Sequence, residues 1–280
     1  MLNYLIIDKI IENALEEDIP FSDISTENLI PESSISEVDL ICKEDGVIAG
    51  IDVFSRVFEI LGDVKAEFYV SDGDFIENKS KIGKITGNTR KILMGERTAL
   101  NLLQRMSGIA TLTNSFVKEV SHTKTRILDT RKTTPGLRIL EKYAVTAGGG
   151  MNHRFNLSDG VMLKDNHIDA AGGIKNAVEK IRGNCSFVRK IEVETETLEM
   201  VKEALDCNAD IIMLDNMDLD TARKAVDLIG NKAIVEFSGN VSLENVKEIS
   251  EIGVDFISIG ALTHSAKILD LSMKNLRAVI

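Results

Sequence analysis

The feature that most limits the fold is a rhythm in the second half of the chain. Short apolar runs at TRILD (125–129), VML (161–163), KIEVE (190–194), IIMLD (211–215), AIVEF (233–237) and DFISIG (255–260) alternate with stretches of helical character. Strands that alternate with helices build a parallel sheet. Over the last four runs the repeat is about 21 to 22 residues, the length of one strand–helix unit. No glycine-rich dinucleotide fingerprint or phosphate-binding P-loop follows any run, which favours a barrel over an open nucleotide-binding sheet. Six or seven barrel strands can be placed, short of the eight in the common (β/α)8 barrel.

The first hundred residues read differently. An amphipathic helix over about 5 to 16 precedes alternating strands near 37–42, 46–51, 66–70 and 82–86, an α+β pattern. A helix over 91–106 then buries Ile92, Leu93, Ala99, Leu100, Leu103 and Met106 and turns Arg97, Asn101, Gln104 and Arg105 to a second face. A chain of 280 residues accommodates a barrel with a smaller companion domain.

Charge narrows the function. The formal net charge is -11, so the average surface repels nucleic acid and anionic lipid. No apolar run approaches the roughly 18 residues of a membrane span, and the acidic start, MLNYLIIDKIIENALEED, does not read as a signal peptide. Cys42, Cys185 and Cys207 are odd in number and form no CxxC pair, so neither a disulfide framework nor a thiolate zinc site is expected. A reducing cytoplasm is the expected location.

Within this acidic chain one segment is basic. From Arg131 to Lys164, Arg131, Lys132, Arg138, Lys142, Arg154 and Lys164 face only Glu141 and Asp159. Arg138 and Lys142, four residues apart beside Glu141, also fit a solvated helix face. Arg131, Lys132, Arg154 and Lys164 fall at strand ends or in glycine-rich loops, where a barrel places its active site. A cationic pocket in an acidic shell concentrates small anions, and Arg grips carboxylate or phosphate bidentately.

Other strand ends are polar too: Asp129, Glu194, Asp215, Ser238, and Gly260 followed by His264. Glu194 and Asp215 lie one repeat apart, so their carboxylates share a rim. They suit either Mg2+, which takes one or two protein carboxylates with water and phosphate, or a salt bridge to Lys132 or Lys164. Ser238, Gly239 and Asn240, then Gly260, Ala261 and Leu262, supply small residues whose N–H groups can approach a phosphate. Of the histidines, His153 and His264 fall in loops of this kind, and no closer His or Cys set for zinc is present.

The motifs GERTALNLLQRMSGIAT (95–111), DTRKTTPGLR (129–138), EKYAV followed by GGGMNHR (141–154), and KDNH (164–167) resemble quinolinate phosphoribosyltransferase, and the match continues through IEVE, MLDN, EFSGN and ISIGALTHS. The resemblance implies an α/β fold: an N-terminal α/β sandwich over 1–107, rejoined by a last helix within 266–280, and an incomplete, seven-stranded α/β barrel over 108–265. It implies transfer of phosphoribosyl from 5-phosphoribosyl 1-pyrophosphate (PRPP) to quinolinate with decarboxylation, using Mg2+. Arg131, His153, Arg154 and Lys164 would hold the quinolinate carboxylates, with Arg97 from a neighbouring subunit of a homodimer or higher oligomer. Lys132, Glu194, Asp215, Ser238, Gly239, Gly260 and His264 would face PRPP, with Lys132, Glu194 and Asp215 catalytic and the two carboxylates at the metal. Phe155 and Asn156 stand where many relatives have glycine, and Thr146 where a basic residue or cysteine is frequent, which bears on loop shape. Two readings remain beside it: the related protein of molybdate-transport operons, and a barrel aldolase using Lys132 or Lys164 as a Schiff-base nucleophile. A ligand-binding protein without turnover is a third.

Overall fold

The computed structural model describes residues 2–279. In chain order its elements are α1 (Tyr4–Asp18), α2 (Ile24–Leu29), β1 (Ile35–Cys42), β2 (Gly46–Val47), α3 (Ile51–Leu61), β3 (Val64–Phe68), β4 (Phe75–Ile76), β5 (Lys81–Asn88) and the long α4 (Thr89–Val120). There follow β6 (Arg126–Leu128), α5 (Arg138–Ala147), β7 (Val161–Leu163), α6 (Asp165–Ala171), α7 (Ile174–Asn184), β8 (Ile191–Thr195), α8 (Leu198–Asp206), β9 (Ile211–Asp215), α9 (Leu219–Ile229), β10 (Ile234–Ser238), α10 (Val246–Glu251), β11 (Phe256–Ser258), α11 (Ala261–His264) and β12 (Leu271–Ala278). The backbone groups into two compact units, one of residues 1–114, 133–149 and 261–280, the other of residues 115–132 and 150–260. Among the described residues no helix is long and apolar enough to cross a membrane.

The first unit carries a four-stranded sheet in the order β12-β1-β5-β3, whose ladders are antiparallel. In β3, Val64, Ala66 and Phe68 alternate with exposed Lys65 and Glu67, as in a sheet with one covered face. α3 packs here through Val53, Phe54, Val57 and Phe58, at the spacing that puts side chains on one helix face. The Phe54 ring meets Phe58 and Phe68 edge-on, at 5.3 and 5.5 Å between centroids.

Three expectations are corrected in this unit. The strand expected over 46–51 is only β2, because Gly50 (φ +104) turns the chain into α3. Asp72 Oδ1 accepts the Gly50 and Ile51 N–H groups, which caps that start. The last segment is the strand β12, not a helix. It pairs antiparallel with β1, from Cys42 opposite Leu271 to Ser36 opposite Ala278. Finally, Lys142 is fully buried in α5 rather than on a solvated face.

The second unit is a parallel sheet in the order β6-β11-β10-β9-β8-β7. Beyond β6, Met151 forms a single parallel bridge to Leu128, so six strands and this bridge give the seven positions of the expected incomplete barrel. Strands at 126–128, 161–163 and 211–215 lie where the apolar runs placed them. Val193, Ile212, Leu214, Val235 and Ile257 fill one buried face of these strands. Polar side chains take the intervening positions: Glu194 and Glu236 both stand opposite Met213, and Asp215 stands opposite Ser238 two residues further along. Residues two apart on a strand share a face. Glu192 and Glu194 therefore share one face of β8, Glu236 and Ser238 one face of β10.

Candidate active site

The carboxyl ends of the second unit's strands gather ten of the proposed residues: Arg131, Lys132, His153, Arg154, Lys164, Glu194, Asp215, Ser238, Gly239 and Gly260. Arg97, exposed on α4, and His264, at the end of α11, belong to the first unit. At the short strand position of Met151, the chain runs straight into His153 and Arg154.

His153 is anchored on every side. Its backbone N–H donates to Oδ1 of the buried Asp129 at 2.8 Å, and its Nδ1 accepts the Arg154 N–H at 2.7 Å. Its Nε2 lies 3.2 Å from Glu192 Oε2 and 3.3 Å from Glu236 Oε2. Burial alone would lower the imidazole pKa. Hydrogen bonds donated to Glu192 and Glu236 outweigh it and push the ring up to about 10. The Arg154 N–H bond to Nδ1 pulls the other way, since an imidazolium carries a proton there.

Glu192 and Glu236 carried no role in the sequence reading, yet they are buried, and Oε1 of each has no hydrogen-bond partner. Burial, more than any neighbour, raises the Glu192 pKa. The signal that points to them is period two: each precedes by two residues a side chain already assigned to the site, Glu194 and Ser238. With His153 they form the one group of three converging metal-ligand types among the described residues.

Arg154 is half-buried. Burial first, and then the like charge of Arg131, lowers its pKa, with Glu192 opposing. Its guanidinium donates to the Gly160 carbonyl at 2.9 Å and to Met162 Sδ at 3.5 Å, which fixes the direction of the fork. Lys164 ends β7 and precedes α6. Its backbone N–H donates to His167 Nδ1 at 3.2 Å, which explains the histidine of KDNH. Its Nζ forms a short ion pair with Glu194, the salt-bridge alternative weighed from the sequence.

On the other side of the mouth, Asp215 accepts from Asn216 Nδ2, and Asn216 Oδ1 accepts from Asn240 Nδ2. A cleft of about 280 Å3 opens beside these loops, lined by Asn216, Asp218, Gly239 and Asn240 among others. The arrangement has two chemical poles: arginine and lysine toward β6 and β7, carboxylates and small-residue loops toward β9 and β10.

Comparison with known proteins identifies the family. Residues 109–274 match the family described as quinolinate phosphoribosyl transferase, C-terminal domain, and residues 23–107 match its N-terminal domain. The probable nicotinate-nucleotide pyrophosphorylase (carboxylating) of Bacillus subtilis (strain 168) is 42% identical, covering 97% of this chain and 94% of that protein. The chloroplastic nicotinate-nucleotide pyrophosphorylase (carboxylating) of Arabidopsis thaliana is 45% identical, covering 95% of this chain and 81% of that one. The crystal structure of NadC from Streptococcus pyogenes superposes with a TM-score of 0.97 at 42% identity, covering 100% of this chain and 99% of that one. Matches of this quality in both halves of the chain lead to one assignment: the protein belongs to the quinolinate phosphoribosyltransferase family.

Proposed function

We propose that this enzyme transfers phosphoribosyl from PRPP to quinolinate and decarboxylates the product, releasing nicotinate mononucleotide, pyrophosphate and CO2 for NAD synthesis. The observation that supports the reading is the pair of like-charged guanidiniums, Arg131 and Arg154, the latter bonded to Met162 of β7, the strand that Lys164 ends. Two guanidiniums close enough for one to lower the other's pKa favour a multiply charged anion, so a pyridine dicarboxylate gains more from them than a monocarboxylate.

In the proposed reaction the ring nitrogen of quinolinate attacks the anomeric carbon of PRPP and the bond to pyrophosphate breaks. Lys132 offsets the charge that develops on the departing oxygens, while Glu194 and Asp215 face the oxocarbenium-like sugar. The ribosylated nitrogen is then cationic and accepts the electron pair left when the adjacent carboxylate departs as CO2. A proton then replaces it on that carbon. Positioning of the two substrates accounts for much of the rate. Arg154 would hold one carboxylate pole, with His153, whose two ring nitrogens are engaged by the Arg154 N–H and by Glu192 and Glu236, positioning it from behind, and Ser238, Gly239, Gly260 and His264 would receive the phosphates.

Mg2+ fits Glu194 and Asp215, two carboxylates on neighbouring strands, because it accepts one or two such ligands and keeps water and phosphate for the rest. When bound it would neutralise pyrophosphate. The converging His153, Glu192 and Glu236 suit it less, being buried and already joined through the imidazole. The ion pair with Glu194 likewise favours anion binding over a Schiff-base role for Lys164, which needs a desolvated amine.

We place the enzyme in the cytoplasm, in keeping with three unpaired cysteines, and as a homodimer or larger assembly in which Arg97 of one subunit completes the site of another. The activity is tested by stoichiometry. One pyrophosphate and one CO2 should appear for each quinolinate consumed, and CO2 release without pyrophosphate would overturn the reading.

A further inference from the structure

Asn216, the residue after Asp215, lies at φ +53 in the left-handed region, where side chains other than glycine are uncommon. Its groups join two loops that are distant in sequence. The side-chain Nδ2 donates to Asp215 Oδ2 at 2.7 Å, and Oδ1 accepts from Asn240 Nδ2 at 3.1 Å. The backbone N–H donates to the Ser238 carbonyl at 3.0 Å.

The partner loop is shaped to receive this amide. Gly239 (φ +93) and Asn240 (φ +50) are both left-handed. A Cβ on Gly239 would stand 2.2 Å from Asn216 Oδ1 and 2.6 Å from its Cγ, so any other residue there would evict the carboxamide. On the far side Asn245 Nδ2 donates to the Asn240 carbonyl at 3.0 Å, and Asn245 Oδ1 accepts the Ser242 N–H at 2.8 Å. A turn that only reversed the chain after β9 would need no bond to a residue 24 positions away. Backbone conformations of this cost collect where a site requires them.

We propose that Asn216 is a positioning residue for PRPP: its carboxamide orients the Asp215 carboxylate and, through the Asn240 side chain, locks it to the Ser238–Asn240 loop, so that both meet the sugar phosphate as one rigid surface. The inference rests on the reading of Asp215, Ser238 and Gly239 as the PRPP face. Its content is additional, since Asn216 is assigned no contact with substrate. Holding the carboxylate and the phosphate-side N–H groups in one frame before binding removes an ordering cost that would otherwise weaken affinity.

Asn216→Gly is the informative variant, because glycine keeps the left-handed backbone while deleting the amide. Calorimetric titration with PRPP in the presence of Mg2+ should show affinity about tenfold weaker than wild type, the scale of a lost hydrogen bond to a charged group. Quinolinate affinity should stay within about twofold, and Tm within a few degrees. Asn240→Gly, which removes the other end of the amide pair, should shift PRPP affinity in the same direction by less. In the Asp215→Asn background, Asn216→Gly should add little, since the carboxylate it orients is gone. PRPP affinity unchanged in Asn216→Gly, an equal loss for both substrates, or full additivity with Asp215→Asn would overturn the proposal. Wild-type protein that binds PRPP but does not turn over quinolinate would sink the functional reading alone and leave this comparison readable. Wild-type protein that does not bind PRPP would sink both.

Discussion

Arg154→Ala is expected to lower kcat/KM for quinolinate by between about 30-fold and several thousand-fold, and Lys164→Ala by at least as much. The range follows from truncating one partner of a desolvated charge pair, which costs about 2–5 kcal/mol, at about 1.4 kcal/mol per tenfold. Arg154 has its fork aimed by Gly160 and Met162, so its loss removes an oriented bidentate donor rather than a mobile charge. Arg154→Lys, which restores charge without the fork, should recover only part of the loss. Lys164→Ala has a second consequence, because it leaves the largely buried Glu194 without its cation in a site that must accept anions. Its kcat should therefore fall along with its affinity, whereas Arg154→Ala should show mainly in KM. Steady-state kinetics on both variants, with circular dichroism to confirm folding, reads the difference. Wild-type values in both would remove these residues from the quinolinate site.

Subunit mixing carries the second large effect. Arg97 lies exposed on α4 in the first unit, and the proposal assigns it to a neighbour's site. Assayed at quinolinate well below KM, Arg97→Ala and Arg154→Ala homodimers should each be nearly inactive. After the two are unfolded together and refolded, random pairing makes half the dimers mixed, each with one intact and one doubly defective site. Activity should recover to about a quarter of wild type. Recovery absent from a mixture shown by native mass spectrometry to contain heterodimers would place Arg97 in its own subunit's site or in none.

Much of the barrel was legible because parallel strands buried on both faces read as unbroken apolar runs, and a polar residue at the end of each run marks the mouth. VML and IIMLD coincide with β7 and β9, and Lys164 and Asp215 close those runs. The missed features are those that only tertiary closure creates. Glu192 sits between buried Ile191 and Val193, where alternation alone would turn it toward solvent on an ordinary strand. Closure of the barrel turns it inward onto His153 instead. The C-terminal residues became a strand because β1 offers an edge, information that lies more than two hundred residues away in the chain. Gly108 of the SGIAT motif shows the same limit. A Cβ there would fall 1.9 Å from the Lys267 carbonyl, a contact no local pattern announces.

α3 was legible but overlooked. Val53, Phe54, Val57 and Phe58 have helical spacing, and Gly50 before them marks the start. Asn216 and Asn240 are a different case. Left-handed asparagines look like ordinary turn residues until their side chains are seen to meet across two loops.

The proposed activity depends on preference for two carboxylates over one, set by cations at the mouth of the barrel. The direct measurement is pyrophosphate release from PRPP with quinolinate or with nicotinate as acceptor, at matched concentrations. Release with quinolinate, at a kcat/KM at least about a thousandfold above that for nicotinate, is the expected result for a site whose cations would lack a second carboxylate partner against the smaller acid. Equal release with the two acids, or release with nicotinate alone, would contradict it.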